Sequence, residues 1–189
     1  MRTVIASFTI SLDGYFEDAD GGLGWSAPDP ELFAFATDLV RGVDVHLLGR
    51  RLYEGMSYWE DPAAAADWGE AEQAFADLWQ ALPKVVFSRT LSSVAGTNIR
   101  LATDSLADEI ARLRAEPGDG AIALGGANLI AEAARLDLID EYQVRVAPVL
   151  LGAGHPFFPQ EGRLVDLELV ETRTFTSGVV YLRHRVVHQ

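Results

Sequence analysis

Three short segments carry residues suited to holding an anion. Gly49-Arg50-Arg51, Ser88-Arg89 and Gly125-Gly126 each follow an apolar run, and helical spacing follows the last of them. A guanidinium is a planar fork of N–H donors that matches phosphate oxygens. A glycine pair between strand and helix lets backbone approach a ligand closely, and a helix N-terminus turns free N–H groups toward negative charge. Arg50 and Arg51 stand where a helix begins, a place the helix dipole makes poor for cations unless an anion is bound. The alternative is pairing with surface acids, since 28 acidic residues face 15 basic ones. The glycine pair also reads as a plain tight turn, because neither G-x-G-x-x-G nor a Walker lysine accompanies it. Two carboxylates stand in turns beside these elements. Asp13 lies in a Ser-Leu-Asp-Gly turn and Glu31 in the first turn of a helix capped by Asp29; an Asx turn and helix capping are their structural alternatives. Tyr15 and Trp25 are placed to wall a substrate pocket or to pack as core.

The stretch from 120 to 152 organises the chain. An apolar run at 121–124 reads as a buried strand, the glycines follow, 127–136 has helical spacing, and 141–150 reads as a second strand. Before it, residues 3–11 alternate as a strand, and 17–25 form an acidic, glycine-rich loop. Asp29-Pro30-Glu31 opens a helix that Gly42 ends. Strands at 43–48, 84–88 and 98–101 alternate with a helical turn through Tyr53 and Met56, a helix at 64–81 and another at 105–115. A Gly/Pro loop covers 152–162, and strands at 164–175 and 179–187 form a hairpin around Thr176-Ser177-Gly178. Alternating strands and helices predict a three-layer α/β/α domain with a mostly parallel sheet and an antiparallel C-terminal edge.

A chain of 189 residues with 49% hydrophobic content is expected to be one globular domain, with no internal repeat or linker. Nothing approaches the roughly 20 apolar residues of a membrane span. The N-terminus enters a strand pattern without a signal-peptide core, so a cytoplasmic protein is expected. The net charge of −13 argues against nucleic-acid binding. Cysteine is absent, which removes disulfides, thiolate zinc sites and a cysteine nucleophile, and the four histidines lack metal-ligand spacing.

The segments ISLDG (10–14), LLGRRLYEGM (47–56), KVVFSRTL (84–91), ALGGANLIAEA (123–133) and LIDEYQVRVAPVLLGAGHPFF (138–158) together resemble the dihydrofolate reductase superfamily. The nearest likeness is to the reductase half of the riboflavin-biosynthesis deaminase/reductase proteins. The resemblance implies a mixed sheet of about eight strands, NADPH as hydride donor and a heterocyclic, pterin-like or ribosylamino-pyrimidine acceptor, as in 5-amino-6-(5-phosphoribosylamino)uracil reductases. It implies that Gly49, Arg50 and Arg51 lie at the nicotinamide-nucleotide phosphates. Ser88 and Arg89 would hold the adenosine 2′-phosphate, and Gly125, Gly126, Ala127 and Asn128 the pyrophosphate. A cis Gly125–Gly126 peptide is expected on the same ground; Glu31 matches the carboxylate of the reductases' first helix and Asp13 belongs to the family's SLDG turn, which makes these two the candidates for proton chemistry. A homodimer is implied as well. Without cysteine the chain cannot carry the zinc deaminase chemistry of the bifunctional proteins. A true dihydrofolate reductase, a non-enzymatic NADPH binder and a flavodoxin-like FMN binder are the alternatives.

Overall fold

The computed structural model describes residues 2–158 and 164–187. In chain order the elements are β1 (Val4–Ser11), β2 (Tyr15–Glu17), α1 (Pro30–Arg41), β3 (Val43–Gly49), α2 (Arg50–Met56), α3 (Pro62–Ala65), α4 (Glu70–Ala81), β4 (Lys84–Phe87), β5 (Ile99–Leu101), α5 (Leu106–Ala115), β6 (Ala121–Gly125), α6 (Ala127–Arg135), β7 (Glu141–Ala147), β8 (His155–Pro156), β9 (Leu167–Thr174) and β10 (Val180–Val186). Eight strands form one sheet in the order β5-β4-β3-β6-β1-β7-β10-β9. β1 pairs in parallel with β6 on one side and β7 on the other, while β10 and β9 add antiparallel at the edge. This is a dihydrofolate reductase-like α/β fold, as the resemblance implies.

Alternation along each strand divides its residues between two cores. Val4, Ala6 and Ile10 of β1, Val45 and Leu47 of β3, and Ile122 and Leu124 of β6 join Ile110 and Leu113 of α5 and Leu129, Ile130 and Ala133 of α6. On the opposite face Leu48 and Val86 meet Phe75 and Trp79 of α4. Leu32 of α1 packs with Ala147, Phe175 and Tyr181. The sheet is thus covered on both faces, and its parallel strands read as nearly continuous apolar runs for that reason.

Local chemistry sets the helix ends. Asp29 Oδ1 accepts the Leu32 N–H at 2.9 Å, Pro30 occupies the first position and Gly42 terminates α1. The helix expected over 64–81 is broken in two. Asp61 caps the short α3, and the chain then turns through Asp67 and Trp68 before Gly69 caps α4. At the break Trp68 packs on Trp59 at a ring separation of 5.4 Å. β7 stops at Ala147, short of the expected residue 150, because Pro148 has no N–H for the ladder. The loop after it contains β8, which pairs with β2 in a two-stranded sheet unforeseen from sequence; its residues 159–163 lie outside the described residues.

Leu47 is fully buried at the centre of the sheet. Leu47→Ala should lower the unfolding free energy by about 2–5 kcal/mol. In urea titration this appears as a lower midpoint with an unchanged slope.

Candidate functional site

Parallel pairing places the carboxyl ends of β4, β3, β6, β1 and β7 along one edge of the sheet. Gly49-Arg50-Arg51, Ser88-Arg89, Gly125-Gly126 and Asp13 continue from four of those ends, so the segments singled out by residue type share one edge. Ligands of open α/β sheets bind there.

The glycines are required by contact. Gly126 has φ +102°, and a Cβ there would lie 3.2 Å from Gly49 Cα and 3.3 Å from Gly49 N. A Cβ on Gly125 would run into Leu52 and approach His46 Nε2 to 2.9 Å. The expected cis bond is not formed: no peptide among the described residues is cis, and Gly125–Gly126 is trans. The positive φ of Gly126 makes the reversal instead, a conformation open to a residue without Cβ. Gly126 caps α6 with no side-chain acceptor, and the first turn, which holds Ala127 and Asn128, has no acid. The caps and acids that α1 and α5 carry are missing here, leaving a cradle whose N–H groups and dipole suit an anion. Beneath it His46 is held neutral: burial, then the charge of Lys84, lowers its pKa to about 4.

The arginines are spread around this turn. Arg50 donates to Glu54 Oε1 at 2.7 Å and to Thr90 Oγ1 at 2.8 Å, tying α2 to the segment after β4. Arg51, with 77% of its side chain exposed, reaches Glu17 Oε2 at 3.5 Å. Ser88 Oγ accepts the N–H groups of Thr90 and Leu91 at 3.2 and 3.1 Å, forming a turn that presents Arg89 to solvent. Arg89 makes no ion pair with the described residues.

The two candidate carboxylates are engaged as acceptors. Asp13 takes the N–H groups of Leu151 and Gly152 at 3.2 and 2.8 Å, clamping the loop after β7 to the turn after β1. The Ser11 side chain and these backbone donors hold its pKa below the usual value. Glu31 accepts the Thr176 N–H at 3.1 Å and pairs with Arg173 at 3.4 Å, which joins α1 to the β9–β10 hairpin. The Thr176 backbone and side chain, then Arg173, lower its pKa too. Tyr15 is held by Ser11 Oγ, which accepts its N–H at 2.9 Å. Trp25 is half-buried against the α1 cluster, and its buried indole N–H has no partner among the described residues.

Sequence reasoning missed one junction. Glu17 of β2, only 9% exposed, receives both Arg51 and His155 of β8, whose Nδ1 lies 3.1 Å from Glu17 Oε2. These residues are remote in sequence, and no motif joins them. A separate cavity of about 440 Å³ opens near the amino ends of β1 and β7, walled by Arg2, Asp38, Glu141, Gln143 and Arg183, away from the glycine turn. No helix among the described residues is long and apolar enough to cross a membrane.

The fold is that of a reductase-like α/β domain of dihydrofolate reductase type. The RibD C-terminal domain model matches residues 2–181, and the chain belongs to that family. It is 32% identical over 185 residues to the uncharacterized protein YyaP of Bacillus subtilis (strain 168), covering 96% of this chain and 93% of YyaP. Among solved structures, a protein assigned to riboflavin biosynthesis in Shewanella sp. PV-4 superposes with a TM-score of 0.77 at 25% identity, over 98% of this chain and 99% of its own. Dihydrofolate reductase from Enterococcus faecalis, complexed with NADP(H) and RAB-propyl, shares the fold at a TM-score of 0.59 and 16% identity, over 97% and 96% of the two chains.

A carboxylate whose folded pKa is lowered contributes stability above its ordinary value and loses it as pH falls through the lowered one. Asp13→Ala should therefore speed hydrogen exchange of the Leu151 and Gly152 amides at neutral pH. The wild type should lose the same protection, relative to intrinsic exchange at each pH, only below the ordinary carboxylate range. Amide exchange followed by NMR measures both.

Proposed function

We propose that the protein is a cytoplasmic NADPH-dependent reductase acting on a small nitrogen heterocycle, of the ribosylamino-pyrimidine or pterin-like class. The observation that carries this reading is the uncapped, acid-free N-terminus of α6 behind the Gly49–Gly126 backbone contact. Family membership and a fold shared with a dihydrofolate reductase solved with NADP(H) support it. In this reading the α6 N–H groups and the Gly125-Gly126 backbone bind the pyrophosphate, Arg50 and Arg51 serve the nicotinamide-side phosphates, and Ser88 with Arg89 takes the 2′-phosphate. Bound there, NADPH supplies a hydride to a C=N or C=O carbon of the substrate. The chain's part is to orient both molecules and exclude water, with Tyr15 and the buried indole of Trp25 facing the acceptor.

One observation favours a second reading, a binder of NADPH without turnover. Asp13 and Glu31 are both held ionised by their partners, so neither is a ready proton donor. Fluorescence titration with NADPH, followed by its oxidation in the presence of 5-amino-6-(5-phosphoribosylamino)uracil or dihydrofolate, separates the two. Turnover of either substrate is expected; tight binding with neither turned over supports the binder. Arg89→Ala should weaken NADPH by roughly tenfold or more while leaving NADH almost unchanged. An equal loss for both cofactors removes Arg89 from the 2′-phosphate.

The reading includes a homodimer. All eight residues of edge strand β9 are exposed, among them Leu167, Leu169 and Val170, with Leu164 at 88% just before it. An edge strand that pairs on one side only among the described residues, with apolar side chains exposed, is a template for a second chain. Light scattering should give twice the mass of one chain, and Leu169→Lys should shift it toward the monomer.

A further inference from the structure

We infer that Glu17 competes with a cofactor phosphate for Arg51, so that the nucleotide-free protein keeps this arginine parked; the inference rests on the NADPH reading above. The order β3-β6-β1 supplies the geometry. Arg51 follows the end of β3 and Glu17 follows the end of β1, and the strand between them is β6, which ends at the Gly125-Gly126 turn. The Arg51–Glu17 contact therefore joins the two elements that flank the anion cradle.

The three groups of the junction are not equally free to move. Glu17 belongs to β2, its carboxylate is 12% exposed and His155 holds it at 3.1 Å. Gly154 packs against the Glu17 carbonyl so closely that a Cβ has no room, which fixes the backbone behind the carboxylate. Arg51 is the loose partner, 77% exposed and at 3.5 Å. An exposed ion pair of this length is weak, whereas a phosphate offers a guanidinium shorter, charge-assisted bonds. Arg51 is thus the group that changes partner, and Glu17 stays beside His155 when it does. The carboxylate acts by competition: it holds part of the guanidinium's charge and so sets how much of it an anion at the cradle finds.

The test is a double-mutant cycle on NADPH affinity, read by fluorescence for the wild type, Glu17→Gln, Arg51→Gln and the double variant, with urea midpoints checking that each is folded. Glutamine at 17 keeps the length of the side chain but has no charge to hold Arg51. Glu17→Gln should tighten NADPH roughly two- to fivefold, Arg51→Gln should weaken it, and Glu17→Gln should change nothing in the Arg51→Gln background. Glu17→Ser is measured in parallel and should tighten binding in the same direction, which covers a folding defect particular to glutamine. Binding by the wild type with no gain in either position-17 variant overturns the inference alone. A gain that persists without Arg51 also overturns it, since that would be general charge relief. If neither the wild type nor Glu17→Gln binds NADPH, the functional reading falls and the inference falls with it.

Discussion

The contact between Gly49 and Gly126 constrains everything at the working edge of this protein. Two backbone segments, one leaving β3 and one entering α6, pass so closely that a single Cβ at residue 126 would press on Gly49. The positive φ of Gly126 turns the chain there and aims the first N–H groups of α6 outward. Because β6 lies between β3 and β1 in the sheet, this turn is central along the edge, and the arginines of α2 and the β4 segment stand on one side of it. A side chain at 126 would have to displace the Gly49 backbone by a few tenths of an ångström while sitting at a positive φ that L residues rarely adopt. The trans peptide shows that the reversal needs no unusual bond, only the freedom of a glycine.

Around that turn the carboxylates act chiefly as joints. Asp13 draws the segment after β7 onto the segment after β1, Glu31 ties α1 to the terminal hairpin, and Glu54 steadies Arg50. In a chain with a net charge of −13 such pairings are the ordinary fate of acids near scarce cations. Arg89 stands apart, since it projects from the Ser88 turn without an acidic partner among the described residues. Arg51 is intermediate, held loosely by Glu17. The edge therefore keeps positive charge accessible where it would otherwise be neutralised.

Much of this was legible from residue types. The apolar runs marked the parallel strands, Asp29-Pro30 marked the start of α1, and Gly125-Gly126 stood between strand and helix as it does in the fold. The reading failed where distant packing overrode local preference. A run of alanines predicted one helix over 64–81, but Trp68 packs on Trp59 and the chain turns between α3 and α4. Apolar residues carried the β7 pattern past Pro148, where the missing N–H ends the ladder. The pairing of β2 with β8 left no trace, because strands of three and two residues are too short to show a period.

The amino-acid order by itself determined the sheet's parallel strands, the glycine turn and the family, since periodicity, glycine placement and motif order are local properties that survive without coordinates. It did not determine what each charge does. Asp13 stood between proton chemistry and an Asx turn, Glu31 between proton chemistry and helix capping, and Arg51 between a phosphate and a surface acid. Only the tertiary structure decided that Leu151, Gly152, Thr176 and Arg173 converge on those two carboxylates, and that Glu17 and His155 meet beside Arg51. The physical reason is distance: these interactions act over a few ångströms between residues remote along the chain, and nothing short of folding brings them within reach.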